Sequence, residues 1–383
     1  MNTKHRVSII GTGNAALTAA YHLSALDVNV CLFGSPGFAQ PLEEIRQAGG
    51  IRAQATLDGA DLHFPGFQTI HTLTGDIAEA AAFADVLMMP VPSFAQLPLF
   101  DALLPHLRDD QIITLLPGNF GSLVLRRRQQ ERGFTQRLVF AEAISSPWAC
   151  RIIGPAQIAI MGLKTCLPIA ALPSTRTNDV IERLTPLMPL PLTALDNVLA
   201  AGLENINYGG HPLLTTLSMG LLENFEGKFN YYRDCCSPAT ARAAAVMEEE
   251  RQAIGRALGL SLMSELAAMN RLYALHETSV FDLNRNSDAH SKITNAPDSP
   301  QHRYISEDVP YLLVPIQALG QLCGVATPMI DACLTIANAY NQTDYARTGR
   351  DLGSMGLTGH PLANVLESVR AEPSPAGAAL AMA

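Results

Sequence analysis

Val7-Ser8-Ile9-Ile10-Gly11-Thr12-Gly13-Asn14-Ala15-Ala16 sets two glycines between an apolar run and a helical pattern through Leu17, Ala20, Leu23 and Ser24. Gly11 permits a tight strand-to-helix turn, Gly13 lets the backbone approach a pyrophosphate, and Ala16 still allows close helix–strand packing. The helix that follows offers free N–H groups and the positive end of its dipole. Gly11, Gly13, Asn14 and Ala15 are therefore the candidate dinucleotide-binding positions. Gly-x-Gly-x-x-Ala alone is a weak signal, but its place after a strand and before a helix makes it a good one. The next strand ends at Cys31-Leu32-Phe33 and runs into Gly34-Ser35-Pro36, with no acid to take the ribose hydroxyls of NAD. Ser35 is placed to donate to a 2′-phosphate, and the nearest base is Arg46. This favours NADP slightly over NAD.

A nicotinamide chemistry also needs a proton donor or acceptor. Of ten histidines, His5, His22, His63, His71 and His106 read as structural residues of the nucleotide-binding half. His211 is different, because Asn205-Ile206-Asn207-Tyr208-Gly209-Gly210-His211-Pro212 breaks one helical pattern and starts another. It is either a structural cap or an acid–base group, and the second role needs a carboxylate to orient it. Glu307 and Asp308, in Arg303-Tyr304-Ile305-Ser306-Glu307-Asp308-Val309-Pro310, are the candidates. The same two acids also fit the N-terminus of the helix after Pro310. Glu248-Glu249-Glu250-Arg251 reads as a solvated helix face. Tyr208, Tyr231, Tyr232 and Trp148 suit either a pocket or the core.

These residues must be held by two kinds of structure. Up to about residue 185, apolar runs alternate with helical segments, the rhythm of a largely parallel sheet covered by helices. Strands are predicted at Arg6–Ile10, Val28–Phe33, Val86–Val91, Ile112–Leu116 and Leu138–Glu142. Ile51–Ala55, Leu62–Phe64 and Thr69–Leu73 read as an inserted hairpin region. Arg151–Ile153, Gln157–Met161 and Pro168–Ala171 read as edge or antiparallel strands. From about Asp196 the pattern becomes helical, with Leu199, Leu203 and Ile206 on one face. Ser237-Pro238 starts the clearest helix, which ends before Gly259. The expected division is 1–190 for the nucleotide domain, 191–370 for a helical substrate domain and 371–383 for a mobile tail. Residues 284–303 read as a long polar loop.

The 383 residues are 48% hydrophobic and 16% charged, which excludes a disordered or fibrous chain. Lys and Arg total 26 against 35 Asp and Glu, a formal charge of −9, so nucleic acid is not an expected partner. The seven cysteines form no Cys-x-x-Cys or metal pattern and read as reduced thiols, with no metal site. No apolar run approaches the roughly 20 residues that span a bilayer. The expectation is a cytoplasmic protein with small-molecule substrates and no membrane partner, its oligomeric state open with a homodimer as one option.

At these residues the sequence resembles the NAD/NADP octopine/nopaline (opine) dehydrogenase family. The likeness spans Gly11-Thr12-Gly13-Asn14, Pro90-Val91-Pro92-Ser93-Phe94, Leu116-Pro117-Gly118, Trp148-Ala149-Cys150-Arg151, Asn205-Ile206-Asn207 leading to His211-Pro212, and Glu307-Asp308-Val309-Pro310. It implies an α/β Rossmann-type N-terminal domain and an all-α C-terminal domain of the 6-phosphogluconate-dehydrogenase-like kind. It also implies reductive condensation of an α-amino acid with an α-keto acid through an imine, driven by NADH or NADPH. His211 matches the family's catalytic histidine and Asp308 its partner carboxylate, expected to raise the histidine pKa. Arg303 matches an arginine suited to a substrate carboxylate, and Pro92 joins the cofactor positions. Ala16 and the missing acid after Phe33 depart from the family and bear on cofactor preference. The alternatives are a 2-hydroxy- or keto-acid reductase on the same plan and a non-catalytic NAD(P)-sensing protein.

Overall fold

The computed structural model describes residues 4–57, 59–287 and 296–371. The expected tail lies outside the described residues beyond 371, as does the middle of the expected polar loop. The chain divides into two compact units, Met1–Val198 and Leu199–Val369.

Among the described residues the first unit contains strands β1 (Arg6–Ile10), β2 (Asn29–Phe33), β3 (Ile51–Ala53), β4 (Thr56–Leu57), β5 (Ala60–Asp61), β6 (Gly66–Gln68), β7 (Thr72–Thr74), β8 (Val86–Met89), β9 (Ile112–Leu115), β10 (Val139–Ala143), β11 (Trp148–Gly154), β12 (Gln157–Leu163), β13 (Leu167–Leu172) and β14 (Leu192–Ala194). Eight of them form one sheet in the order β14-β13-β10-β9-β8-β1-β2-β7. β7, β2, β1, β8, β9 and β10 run parallel. β13 lies antiparallel to β10 and parallel to β14. Every residue of β8, β9, β10 and β13 is buried. Such strands, covered on both faces, read as unbroken apolar runs.

The segment expected to form a hairpin is organised otherwise. Thr72–Thr74 adds to the main sheet parallel to β2. Ile51–Ala53 pairs antiparallel with Gly66–Gln68 and parallel with β12, building a second sheet, β11-β12-β3-β6. Leu62–Phe64 forms no strand. Strand partners are set by packing far along the chain, which local alternation does not encode.

The second unit is helical. Its longest helix, Pro238–Ala257, starts with Pro at the first position and a capping box in which Ser237 and Thr240 satisfy each other's backbone N–H. The acidic run on this helix is not the solvated face expected of it. Arg251 is fully buried and Glu250 nearly so, while Glu249 alone of the four faces outward and pairs with Arg256. The Arg251 guanidinium donates to Glu248 (2.7 and 2.9 Å), to the Leu203 carbonyl (3.1 Å) and to the Met263 carbonyl (2.7 Å). Tyr208 closes the network by donating to Glu248. Glu250 accepts from the N–H groups of Met329 and Ile330 at the start of the helix Pro328–Asn341. Each charge is matched by several hydrogen bonds, the condition under which buried ions are tolerated.

Candidate active site

In the first unit, β1 delivers its chain into the helix Asn14–Ala25 through the glycine turn. Gly11 has φ +121°, and a Cβ there would lie 2.5 Å from Val91 Cγ1, so only glycine fits. Gly13 differs: a Cβ would meet nothing within 4 Å. Protein packing does not demand its bareness, whereas the approach of a phosphate would. Gly13 caps the helix without a side-chain hydrogen bond, which leaves the first N–H groups for an anion. Asn14 Oδ1 accepts from the Ile152 N–H at 2.9 Å, so Asn14 can serve a ligand through its backbone. Ala15 is half-buried one residue on, and Pro92 is exposed just before the helix Ser93–Leu103. Ser35 is half-buried at the turn Pro36–Phe38, directly after β2. All six positions thus stand at the carboxyl ends of β1, β2 and β8, where open parallel sheets bind ligands. The donor set fits the pyrophosphate of a dinucleotide. Arg46, the nearest base in sequence, pairs with Glu43 and donates to the Leu73 carbonyl at 3.1 Å.

In the second unit two π-type turns, Gly209–Leu213 and Val309–Leu313, each interrupt a helical stretch at a proline, Pro212 and Pro310. π turns recur at functional sites because they expose backbone groups and re-aim side chains. The first carries His211 and the second follows Asp308. His211 Nδ1 lies 2.7 Å from Asp308 Oδ2. His211 Nε2 lies 3.0 Å from the Tyr232 hydroxyl. Tyr304 stacks on the imidazole with ring centroids 3.5 Å apart and planes 10° from parallel. The Tyr231 hydroxyl, 2.8 Å from Thr215 Oγ1, donates to the carbonyls of Gly210 and His211, each at 3.0 Å. The turn is therefore gripped at its backbone by Tyr231 and at its ring by Asp308, Tyr232 and Tyr304.

The electrostatics depart from expectation. Burial pushes His211 down to about 3, with Arg303 pushing the same way and Glu307 opposing. Burial pushes Asp308 up to about 7 against the pull of Arg303. Asp308 was expected to raise the histidine pKa. The correction has a plain cause: His211 is 8% and Asp308 1% exposed, and burial penalises both charged forms. Proton placement follows from the two contacts. Below about pH 7 the pair holds one proton in the Nδ1–Oδ2 contact and a second on Nε2. Above it the second is lost, and Nε2 accepts from Tyr232. The pair titrates as one unit.

Glu307, the other candidate carboxylate, is directed elsewhere: its Oε2 lies 3.1 Å from Arg303 Nε. Half of the Arg303 side chain is exposed, whereas Glu307 is buried. Asp308 makes no capping hydrogen bond at the turn it precedes. Tyr208 is tied into the Arg251 network. Trp148 donates to His22 Nδ1 at 3.0 Å inside the first unit. Both are core residues rather than pocket residues. The contribution of Tyr304 escaped the sequence reading, although it lies next to Arg303; no local pattern signals that its ring covers an imidazole 93 positions earlier. No group of three or more His, Cys, Asp or Glu suited to a metal occurs among the described residues.

The first unit carries a parallel sheet with a glycine-rich turn suited to a dinucleotide, and the second, helical unit buries a histidine–carboxylate pair. Residues 194–341 match the family model described as NAD/NADP octopine/nopaline dehydrogenase, alpha-helical domain. An opine dehydrogenase of Arthrobacter sp. (strain 1C) is 29% identical over 366 residues, 94% of this chain and 98% of that protein. Octopine dehydrogenase bound to NADH and L-arginine superposes with a TM-score of 0.75 at 20% identity, over 95% of this chain and 98% of that one. NADP+-bound yersinopine dehydrogenase gives a TM-score of 0.70 at 17% identity, over 97% and 99% of the two chains. The chain is thus similar to octopine/nopaline (opine) dehydrogenases along most of its length, and to the family model over residues 194–341.

Proposed function

We propose that this protein is an opine dehydrogenase. It joins the amine of an α-amino acid to the carbonyl of an α-keto acid, reduces the resulting imine with NADH or NADPH, and catalyses the reverse oxidation. The observation that carries this reading is the buried His211–Asp308 contact of 2.7 Å within the helical domain of this family. When bound, the nicotinamide supplies or takes the hydride. The glycine turn at Gly11 and Gly13, the backbone of Asn14 and Ala15, and Ser35 and Pro92 hold the dinucleotide. Ser35 and the lack of an acid after Phe33 favour NADP. His211, oriented by Asp308, donates a proton from Nε2 as the carbonyl or imine is polarised, and accepts it in the reverse direction. Arg303, held near Glu307 by an ion pair of 3.1 Å, offers its guanidinium to a substrate carboxylate. Seven free thiols and no membrane-crossing helix among the described residues accord with a cytoplasmic enzyme.

The product provides the test. A mixture of amino acid, keto acid and NADPH should yield a compound whose mass is the sum of the two acids less one oxygen, as two hydrogens enter and one water leaves. A 2-hydroxy acid instead would identify a keto-acid reductase.

The direction of the pH dependence follows from Asp308 standing up at about 7. Reduction needs the proton on Nε2, so kcat/KM in that direction should fall as pH rises through about 7. Oxidation needs Nε2 bare and should rise over the same interval. Steady-state rates in both directions between pH 5 and 9 measure this, and parallel profiles in the two directions would contradict the assignment. Arg303→Lys should raise KM for the keto acid by about threefold to tenfold while leaving cofactor affinity unchanged, since lysine keeps the charge but loses the planar fork.

A further inference from the structure

Neither ring nitrogen of His211 is open. Nδ1 is taken by Asp308, Nε2 is capped by the Tyr232 hydroxyl at 3.0 Å, and the ring face is covered by Tyr304 at 3.5 Å. The side chain as a whole is 8% exposed. A proton leaving Nε2 along the existing hydrogen bond therefore meets the oxygen of Tyr232 first. That oxygen has a second partner, the phenol of Tyr304. Tyr304 itself is half-buried.

We propose that Tyr232 is a catalytic residue whose hydroxyl relays the proton between His211 Nε2 and the reacting oxygen or nitrogen of the substrate. The inference rests on His211 being the acid–base group of an opine dehydrogenase. In the reductive direction the Tyr232 O–H bond breaks as its proton passes to the substrate atom, while the Nε2–H proton passes to the tyrosine oxygen. Tyr232 ends unchanged and the His211–Asp308 pair is one proton poorer, to be restored from water. The substrate carbon gains the hydride and is reduced; NADH or NADPH is the reductant and leaves oxidised. Oxidation runs the same transfers backwards.

The hydroxyl suits this role because it both donates and accepts. With Nε2 protonated, the ring N–H points at the tyrosine oxygen and frees the O–H to point outward. With Nε2 bare, the O–H turns inward to it. Burial holds the phenol well above its ordinary pKa, so it remains an O–H bridge throughout the working pH range. Its partner on the chain, Tyr231, is committed to Thr215 and to two backbone carbonyls and takes no part in the relay.

Tyr232→Phe removes the hydroxyl and preserves the ring. With NADPH, a keto acid and an amino acid, kcat should fall at least about a hundredfold. Cofactor affinity, melting temperature and KM for the keto acid should stay near wild type. Tyr232→Ala leaves room for water in place of the hydroxyl and should recover part of the rate lost by Tyr232→Phe. If Tyr232→Phe retains the wild-type kcat and pH profile, His211 acts directly and the relay is wrong. If both variants lose activity equally through a raised KM, Tyr232 is a packing residue and the relay is equally wrong. Loss of the two-substrate reaction in the wild-type enzyme itself would instead overturn the opine dehydrogenase reading.

Discussion

His211→Asn is expected to lower kcat by about a thousandfold to ten-thousandfold, the upper range for removing a positioned acid–base group. Asparagine is close in size to the lost ring contacts and keeps a donor for Asp308, so the fold should survive; it has no titrating nitrogen to present to Tyr232. NADPH affinity, governed by the other unit, should be unchanged. Rate, melting temperature and cofactor binding measured on one preparation separate these effects. Retained turnover with intact folding would remove His211 from the chemistry. Asp308→Asn should cost less, because the imidazole remains but its tautomer is no longer held by a carboxylate.

The second large effect lies at Gly13. Alanine there has open space and an ordinary backbone, φ −80°. Stability should drop by no more than about 1 kcal/mol, the cost of a poorer helix cap. Cofactor should not tolerate the change, because the added methyl occupies the approach of the pyrophosphate. A steric cost of about 1–3 kcal/mol corresponds to a dissociation constant about fivefold to 150-fold higher. Gly11→Ala makes the contrast: its Cβ would strike Val91 at 2.5 Å, so folding itself should suffer. Fluorescence titration with NADPH beside thermal melting distinguishes the two. Unaltered NADPH affinity in Gly13→Ala would move the pyrophosphate away from this turn.

What the sequence made legible follows from how local each signal is. The parallel strands stand out because burial on both faces demands unbroken apolar runs, as in β8, β9 and β10. The glycine turn is legible because its demands fall on adjacent residues. Thr72–Thr74 was not legible as a partner of β2, since pairing across forty residues is settled by tertiary packing. Glu248–Arg251 misleads for a related reason: charges on a helix usually face water, and only the folded chain shows the Leu203 and Met263 carbonyls that receive Arg251. His211 stood out through its glycines and proline, and both Glu307 and Asp308 were candidates beside it. Which acid it meets depends on the helical phase of a turn 97 residues away. The downward displacement of the His211 pKa depends on burial of both partners, a property of packing rather than of neighbours in sequence.

The most direct measurement is NADPH absorbance with purified protein, a keto acid and an amino acid, each supplied alone and together, beside His211→Asn. Oxidation of NADPH that requires both substrates and collapses in the variant is the predicted result. Equal oxidation with the keto acid alone would contradict it and make the protein a keto-acid reductase.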